Sequence, residues 1–83
     1  MLIPLYGFVE GDSIGLLVLA HDDMPIADVA DRLRNAARLR VTRPDAYDLY
    51  HEGKRLPPQL TVAELCLEAL MRIDLRFRAK ERT

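Results

Sequence analysis

The sequence lacks most of the devices by which small proteins staple themselves together or do chemistry. It has one cysteine, Cys66, in 83 residues, which excludes an internal disulfide and a thiolate-built structural zinc site. A lone reduced thiol is compatible with a reducing cytoplasm. There is no tryptophan, and the aromatics are three tyrosines and two phenylalanines. The glycines Gly7, Gly11, Gly15 and Gly53 form no G-x-G-x-x-G, and no G-K-[ST] is present, so no phosphate-cradling loop is readable. Neither charge dominates. Twelve Lys+Arg against thirteen Asp+Glu give a net charge of -1, so no global basic field is available to hold a nucleic-acid backbone. The longest apolar run, Ile14–Ala20, fits a strand and falls far short of the roughly 20 residues of a membrane-spanning helix. Met1-Leu2-Ile3-Pro4 shows neither a basic leader region nor a cleavage pattern, which points to a cytoplasmic protein with no membrane contact.

What is present is enough apolar side chain for a core. Hydrophobic residues make up 49% and charged residues 30%, a balance that favours packing over disorder. The expectation is one domain over residues 1–83, with 79–83 a frayed polar tail. A chain this small hides only about 60% of the surface its unfolded form exposes. Hydrophobic burial must therefore hold it unaided, and a partner that binds only the folded form would add stability.

The periodicity changes along the chain. Leu2–Val9 reads as a strand with Pro4 near its start, where the missing N–H matters least. Glu10-Gly11-Asp12-Ser13 is a turn, and Ile14–Ala20 is a second strand, so the two form a β-hairpin. Pro25 suits a helix start, with Asp22 or Asp23 available to cap it. Ile26, Val29, Ala30, Leu33, Ala36 and Ala37 then recur at helical spacing, and the helix should end around Arg38–Arg40, ahead of Pro44. Ala46–His51 reads as a third strand and Arg55-Leu56 as a brief fourth, after the turn Glu52-Gly53-Lys54. Thr61-Val62-Ala63-Glu64 has capping-box spacing and predicts a short helix at Val62–Leu65. Arg72–Arg78 alternates strictly, with Ile73, Leu75 and Phe77 inward and Arg72, Asp74, Arg76 and Arg78 outward. The order β-β-α-β-β-(short helix)-β is an α+β arrangement that matches the β-grasp, or ubiquitin-like, fold.

No catalytic constellation emerges. The possible metal ligands are His21, His51, Cys66 and scattered carboxylates, and their spacing gives no convergent set. Cys66, between Leu65 and Leu67, is expected to be buried, inert and raised in pKa. Ser13 lies beside a turn with no histidine near it in sequence. Thirteen acids on a small surface also serve solubility, so no acid/base pair can be assigned. The expectation is a chain with no catalytic residues, no bound cofactor or metal, and no small-molecule substrate of its own.

Two features suit protein binding. Arg32, Arg34, Arg38, Arg40 and Arg43 fall close together, and Arg72, Arg76 and Arg78 line the last strand. Arginine makes bidentate contacts with carboxylates, so an acidic partner surface stands against the plainer reading of a solvated helix end and strand face. Nucleic acid is disfavoured, because acids interleave and no aromatic platform alternates with the arginines. The second feature is the hairpin. Both of its faces are apolar: Ile3, Leu5 and Val9 alternate with Pro4, Tyr6 and Phe8, and Ile14, Leu16 and Val18 with Leu17 and Leu19. One helix covers one face of a small sheet, so the other face needs a cover. The candidate interface residues are Tyr6, Phe8, Leu16, Val18, Arg38 and Arg76.

These residues resemble a known family. The opening Ile3-Pro4-Leu5-Tyr6-Gly7-Phe8, with Glu10-Gly11-Asp12 and Ile14-Gly15-Leu16-Leu17-Val18-Leu19-Ala20, is similar to the small protein B of toluene monooxygenase systems. The likeness continues through Val29-Ala30-Asp31, Arg40-Val41, Leu56-Pro57, Leu60-Thr61-Val62-Ala63-Glu64 and Arg72-Ile73-Asp74-Leu75-Arg76-Phe77. It spans roughly Leu2 to Arg78. The resemblance implies a ubiquitin-like fold and a non-catalytic gamma subunit of a diiron hydroxylase. That subunit would dock on the diiron-bearing alpha subunit, with a beta subunit in the same complex. A Rieske ferredoxin, a reductase and an effector protein would complete the system. It implies no iron ligand in this chain, and the absence of an E-x-x-H pattern is consistent with that. Two departures stand out. Cys66-Leu67-Glu68 occupies the place of a small turn-shaping residue, often Gly, and the basic tail from Arg78 runs on. A ubiquitin-like adaptor of a type VII secretion-like system shares the element order and is the alternative. A conjugated modifier would need a Gly-Gly end, which the sequence does not contain.

Overall fold

The computed structural model describes residues 1–38, 41 and 46–78. Five strands and one helix follow one another: β1 (Leu2–Val9), β2 (Leu16–His21), α1 (Ile26–Ala36), β3 (Tyr47–His51), β4 (Lys54–Arg55) and β5 (Arg72–Phe77). The sheet order is β2-β1-β5-β3-β4. β1 and β5 run parallel at its centre, and the remaining neighbours are antiparallel. This is the mixed-sheet, single-helix β-grasp the sequence pattern describes.

The helix lies across one face because its apolar stripe is continuous. Ile26, Val29, Ala30 and Leu33 are all buried. They pack against Leu5, Val9, Val18, Ala20, Leu49, Ile73, Leu75 and Phe77 from the inner face of the sheet. The approach is tightest at Gly7, where a Cβ would stand 2.7 Å from the Leu33 side chain. A methyl group at that position would have to push the helix or Leu33 away.

The start of α1 departs from the expected cap. Pro25 is the N-cap residue, and no side chain caps the helix, so neither Asp22 nor Asp23 serves. Tertiary contacts take that role: the Ile26 N–H donates to the Leu60 carbonyl at 2.8 Å and the Ala27 N–H to the Pro58 carbonyl at 3.0 Å. The first two amides of the helix are thereby satisfied by the loop that follows β4, and Pro25 at the N-cap has no N–H to satisfy. The helix ends at Ala36 with Ala37 as its cap, slightly earlier than the spacing predicts.

The segment between β4 and β5 is a loop held by turns. The capping box is made in both directions, with the Thr61 N–H donating to Glu64 Oε1 at 3.0 Å and the Glu64 N–H to Thr61 Oγ1 at 3.1 Å. The Leu65 N–H reaches the Thr61 carbonyl at 3.1 Å, but the expected short helix at Val62–Leu65 goes no further than such turns. Cys66 interrupts it in the left-handed region, at φ 56°, the conformation glycine adopts most cheaply. That explains why a small residue is expected there. Cys66 is also exposed, which corrects its reading as a buried thiol. Strand limits shift as well: β2 is Leu16–His21 rather than Ile14–Ala20, β3 begins at Tyr47 rather than Ala46, β4 is Lys54–Arg55 rather than Arg55-Leu56, and β5 ends at Phe77 rather than Arg78. The tail 79–83, Arg40 and Arg43 lie outside the described residues.

Candidate functional site

The face of the sheet turned away from α1 carries the surface of interest, and the strand register decides what stands on it. Tyr6 lies opposite Leu17 and Pro4 opposite Leu19 on the β1–β2 ladder. Tyr6 lies opposite Arg72 and Phe8 opposite Asp74 on the β1–β5 ladder. Opposed residues share a face. Two halves follow, one apolar on β1 and β2 and one charged on β5, β3 and β4.

The apolar half is open. Leu2 is 52% exposed, Tyr6 42%, Leu17 63% and Leu19 52%. Tyr6 and Phe8 meet edge to face, with ring centroids 5.0 Å apart, a favoured aromatic geometry. The Tyr6 ring also lies across Gly15, where a Cβ would stand 2.7 Å from ring atoms. The Tyr6 ring can take this place because residue 15 has no side chain.

The predicted interface residues divide on this map. Tyr6 is exposed and Phe8 half-buried on the outer face. Val18 is 5% exposed and belongs to the core, and Leu16 is half-buried and packed against it. Both turn toward the helix, so Val18 and Leu16 are corrected to inward positions. Leu17 and Leu19, their neighbours of opposite phase, stand on the outer face instead. Arg38 is exposed just past the end of α1, and Arg76 is exposed on the outer face of β5. The structure does not bring Arg38 onto the face that Arg76 shares with Tyr6 and Phe8.

The charged half is internally matched. The Arg72 guanidinium stacks on the Phe8 ring at 4.2 Å from its centroid and also donates to Asp74 Oδ1 at 3.1 and 3.0 Å. Arg76 stacks on Tyr50 at 4.8 Å. Asp48, opposite Arg76 on the β3–β5 ladder, is 7% exposed. Its carboxylate is held by Arg55 at 3.2 Å and Arg78 at 3.1 Å. Sequence reading did not single out Asp48: one acid in a five-residue strand looks like any other until its two arginines arrive from β4 and from beyond β5. Cation–π stacking and ion pairs hold these long side chains flat and leave little unsatisfied charge.

On the inner side, Tyr47 donates its hydroxyl to Asp31 Oδ1 at 2.6 Å, tying β3 to α1. Burial, then that hydrogen bond and the Asp31 charge, push the Tyr47 pKa up from 10.0 to about 12 against the lowering effect of Arg34. His51 is engaged through Nδ1 with the Arg72 carbonyl at 2.8 Å and through Nε2 with Glu52 at 3.1 Å. Among the described residues, no three of His, Cys, Asp and Glu stand together as a metal site, and no helix is long and apolar enough to cross a membrane. A cleft at the end of β1 and β5, lined by Phe8, Glu10, Asp12, Arg72, Asp74 and Arg76 among others, holds about 250 Å³, less than the roughly 300–1,000 Å³ usual for small-molecule sites.

A family model described as toluene-4-monooxygenase system protein B matches residues 2–77. The chain belongs to that family. It is accordingly a subunit of a multicomponent monooxygenase. No curated protein matches it by sequence. Among solved structures, a chain of the toluene 4-monooxygenase HD complex with the inhibitor 4-bromobenzoate has a TM-score of 0.86 at 21% identity, covering 94% of this chain and 100% of that one. The EccD5 ubiquitin-like domain from Mycobacterium xenopi has a TM-score of 0.82 at 15% identity, covering 98% and 99%. Ubiquitin from Caldiarchaeum subterraneum gives 0.74 at 15% identity, covering 96% and 98%. These likenesses share the fold alone and do not separate the candidate roles. The family match does, and it favours the protein B family over the secretion adaptor.

Proposed function

We propose that this protein is a non-catalytic gamma subunit that docks on the large diiron-bearing alpha subunit of an aromatic-hydrocarbon hydroxylase, in a complex that also holds a beta subunit. Family membership supplies the assembly, and the apolar half of the outer sheet face carries the reading. Tyr6, Leu17 and Leu19 form a contiguous exposed apolar surface on a face that the helix does not cover, and such surfaces on small proteins mark interfaces. Tyrosine, with a large body and few rotatable bonds, is a favoured anchor. A contact of about 1,600 Å² in total is the usual size for a stable specific complex. The neighbouring arginines, already stacked on Phe8 and Tyr50, lose little freedom on binding and orient the contact rather than drive it. The diiron centre, on this reading, is the alpha subunit's, and the hydrocarbon pocket lies there too.

The test is co-purification of the tagged protein from its own cells, with mass spectrometry of what accompanies it. Recovery of a large iron-bearing subunit with two E-x-x-H motifs is the expected result. Recovery of membrane secretion components in its place would transfer the protein to the adaptor class.

A further inference from the structure

The two edges of the sheet are unequal. β4 is two residues long, Lys54–Arg55, both charged and exposed, a blunt edge of the kind that resists pairing. β2 is six residues long and apolar over most of its length. Its free backbone groups can be assigned. On β1, the Pro4 carbonyl accepts from the Leu70 N–H at 2.6 Å and the Tyr6 N–H donates to the Met71 carbonyl at 3.0 Å, so these residues turn their backbones toward β5. Ile3, Leu5 and Gly7 therefore serve β2, where they stand opposite Ala20, Val18 and Leu16. The intervening Leu17 and Leu19 turn their own N–H and C=O groups outward, to the open edge. Pro4, which has no N–H to give, stands opposite Leu19 without loss. Arg32 of α1 confirms the direction: its Nη1 reaches across and donates to the Leu19 carbonyl at 3.3 Å.

A groove runs between this edge and α1, lined by Leu17, Val18, Leu19, Arg32, Asn35 and Ala36. Its one charged lining group is Arg32, for which no carboxylate stands within ion-pair distance among the described residues. Pairing of β2 with β2 of a second copy would bring two such grooves together, arginine facing arginine with no acid in either lining. An acidic strand meets the charge instead.

We propose that β2 is a strand-addition site: an extended segment of the partner subunit, apolar at alternate positions and carrying an acidic residue beside Arg32, pairs with the outward N–H and C=O groups of Leu17 and Leu19, drawing the Arg32 guanidinium off the Leu19 carbonyl. This rests on the docking reading of the open face and specifies how the contact is made at its β2 border. Main-chain hydrogen bonds supply the pairing, the groove takes alternate side chains, and Arg32 sets the charge. In the free chain the same guanidinium covers the Leu19 carbonyl and keeps a charge on the edge, which opposes self-association.

The test uses the full chain alone and in its hydroxylase assembly. Residue-resolved hydrogen exchange of the unmodified protein is the first arm, since the Leu17 and Leu19 amides have no acceptor among the described residues of the free chain. Strand addition is expected to slow both by about 100-fold or more on assembly. Leu17→Pro is the second arm, with Leu17→Ala as its control. Proline removes an N–H that the β1–β2 ladder does not use, whereas alanine keeps it. Leu17→Pro is expected to weaken assembly about 10-fold beyond Leu17→Ala, and Arg32→Glu to weaken it where Arg32→Lys does not. Unslowed Leu17 and Leu19 amides, or equal effects of Leu17→Pro and Leu17→Ala, would overturn strand addition. If Tyr6→Ala still weakens assembly in that case, the docking face stands and only the edge contact falls. If Tyr6→Ala is also silent, both fall. Should Leu17→Pro not fold, the exchange arm decides alone.

Discussion

The two halves of the outer sheet face are made of the same backbone and differ in whether their side chains satisfy one another. On β5, β3 and β4, nearly every charge has a partner within the chain: Arg72 with Asp74 and Phe8, Arg76 with Tyr50, Asp48 with Arg55 and Arg78. On β1 and β2, Leu2, Tyr6, Leu17 and Leu19 stand exposed. Rich electrostatics therefore marks the half whose side chains satisfy one another, and the plain leucines mark the half left exposed, the one proposed above to dock. Exposed ion pairs contribute little net energy in water, while apolar area removed from water contributes in proportion to its size. The binding energy should sit in the apolar half and the positioning in the charged half.

Four experiments test this comparison and the inner face beneath it. The largest effect is expected from Tyr6→Ala combined with Leu17→Ala. That pair should weaken assembly by about 3 kcal/mol and change the stability of the isolated chain by less than about 1 kcal/mol. Calorimetric binding beside a thermal melt separates the two quantities. Unchanged affinity would dissolve the distinction between the halves.

The converse pair is Arg55→Ala with Arg78→Ala. It strands the Asp48 carboxylate, whose side chain is only 6% exposed, without a counter-charge. The isolated chain should lose about 2–3 kcal/mol, read as a fall in urea midpoint at constant slope. Assembly of the folded fraction should keep its wild-type affinity.

Two glycines sharpen the comparison without deleting any apolar atom. Gly7→Ala drives a methyl into Leu33 under the helix and should cost about 2 kcal/mol of stability. Gly15→Ala drives one into the Tyr6 ring, which can swing into solvent. It should leave the melt within about 0.5 kcal/mol and still weaken assembly several-fold by reshaping the patch. Equal loss of stability in both mutants would mean that the outer face is as tightly packed as the inner one.

The smallest effect concerns Tyr47. The folded chain holds the phenolic proton more tightly than the unfolded chain, with a pKa raised from 10.0 to about 12. The stability this gives is complete below pH 10 and is lost as pH rises toward about 12. Tyr47→Phe should flatten that part of the stability curve and leave assembly near neutral pH untouched. A curve as steep as the wild type's would show that Tyr47 is not its source.

Sequence reasoning reached the architecture because three patterns were unambiguous: the helical stripe Ile26, Val29, Ala30, Leu33, the strict alternation of Arg72–Arg78, and the turn-bounded hairpin. It picked out β1 and β2 as the apolar hairpin and placed the outward phase wrongly on one of them. Residues 16–19 are Leu-Leu-Val-Leu, so a period of two has no polar residue to fix which face is inward. Only the pairing of Leu17 with Tyr6 settles it, and that is a tertiary fact. On β1 the two aromatics, Tyr6 and Phe8, share one phase, and that phase is the outer one. The Asp48 cluster was invisible for a related reason: its partners, Arg55 and Arg78, come from other parts of the chain. Local signals near residue 66 also misled, since Leu-Cys-Leu suggests burial while the backbone turns Cys66 outward at positive φ.

Hydroxyl-radical footprinting of the protein, free and within its purified hydroxylase, measures the central claim directly. The account predicts that oxidation of Tyr6, Leu17 and Leu19 falls about 10-fold or more on assembly, while Tyr50 and the residues of β4 keep their free-state labelling. Unchanged labelling of Tyr6, Leu17 and Leu19 with protection of the charged half would contradict it.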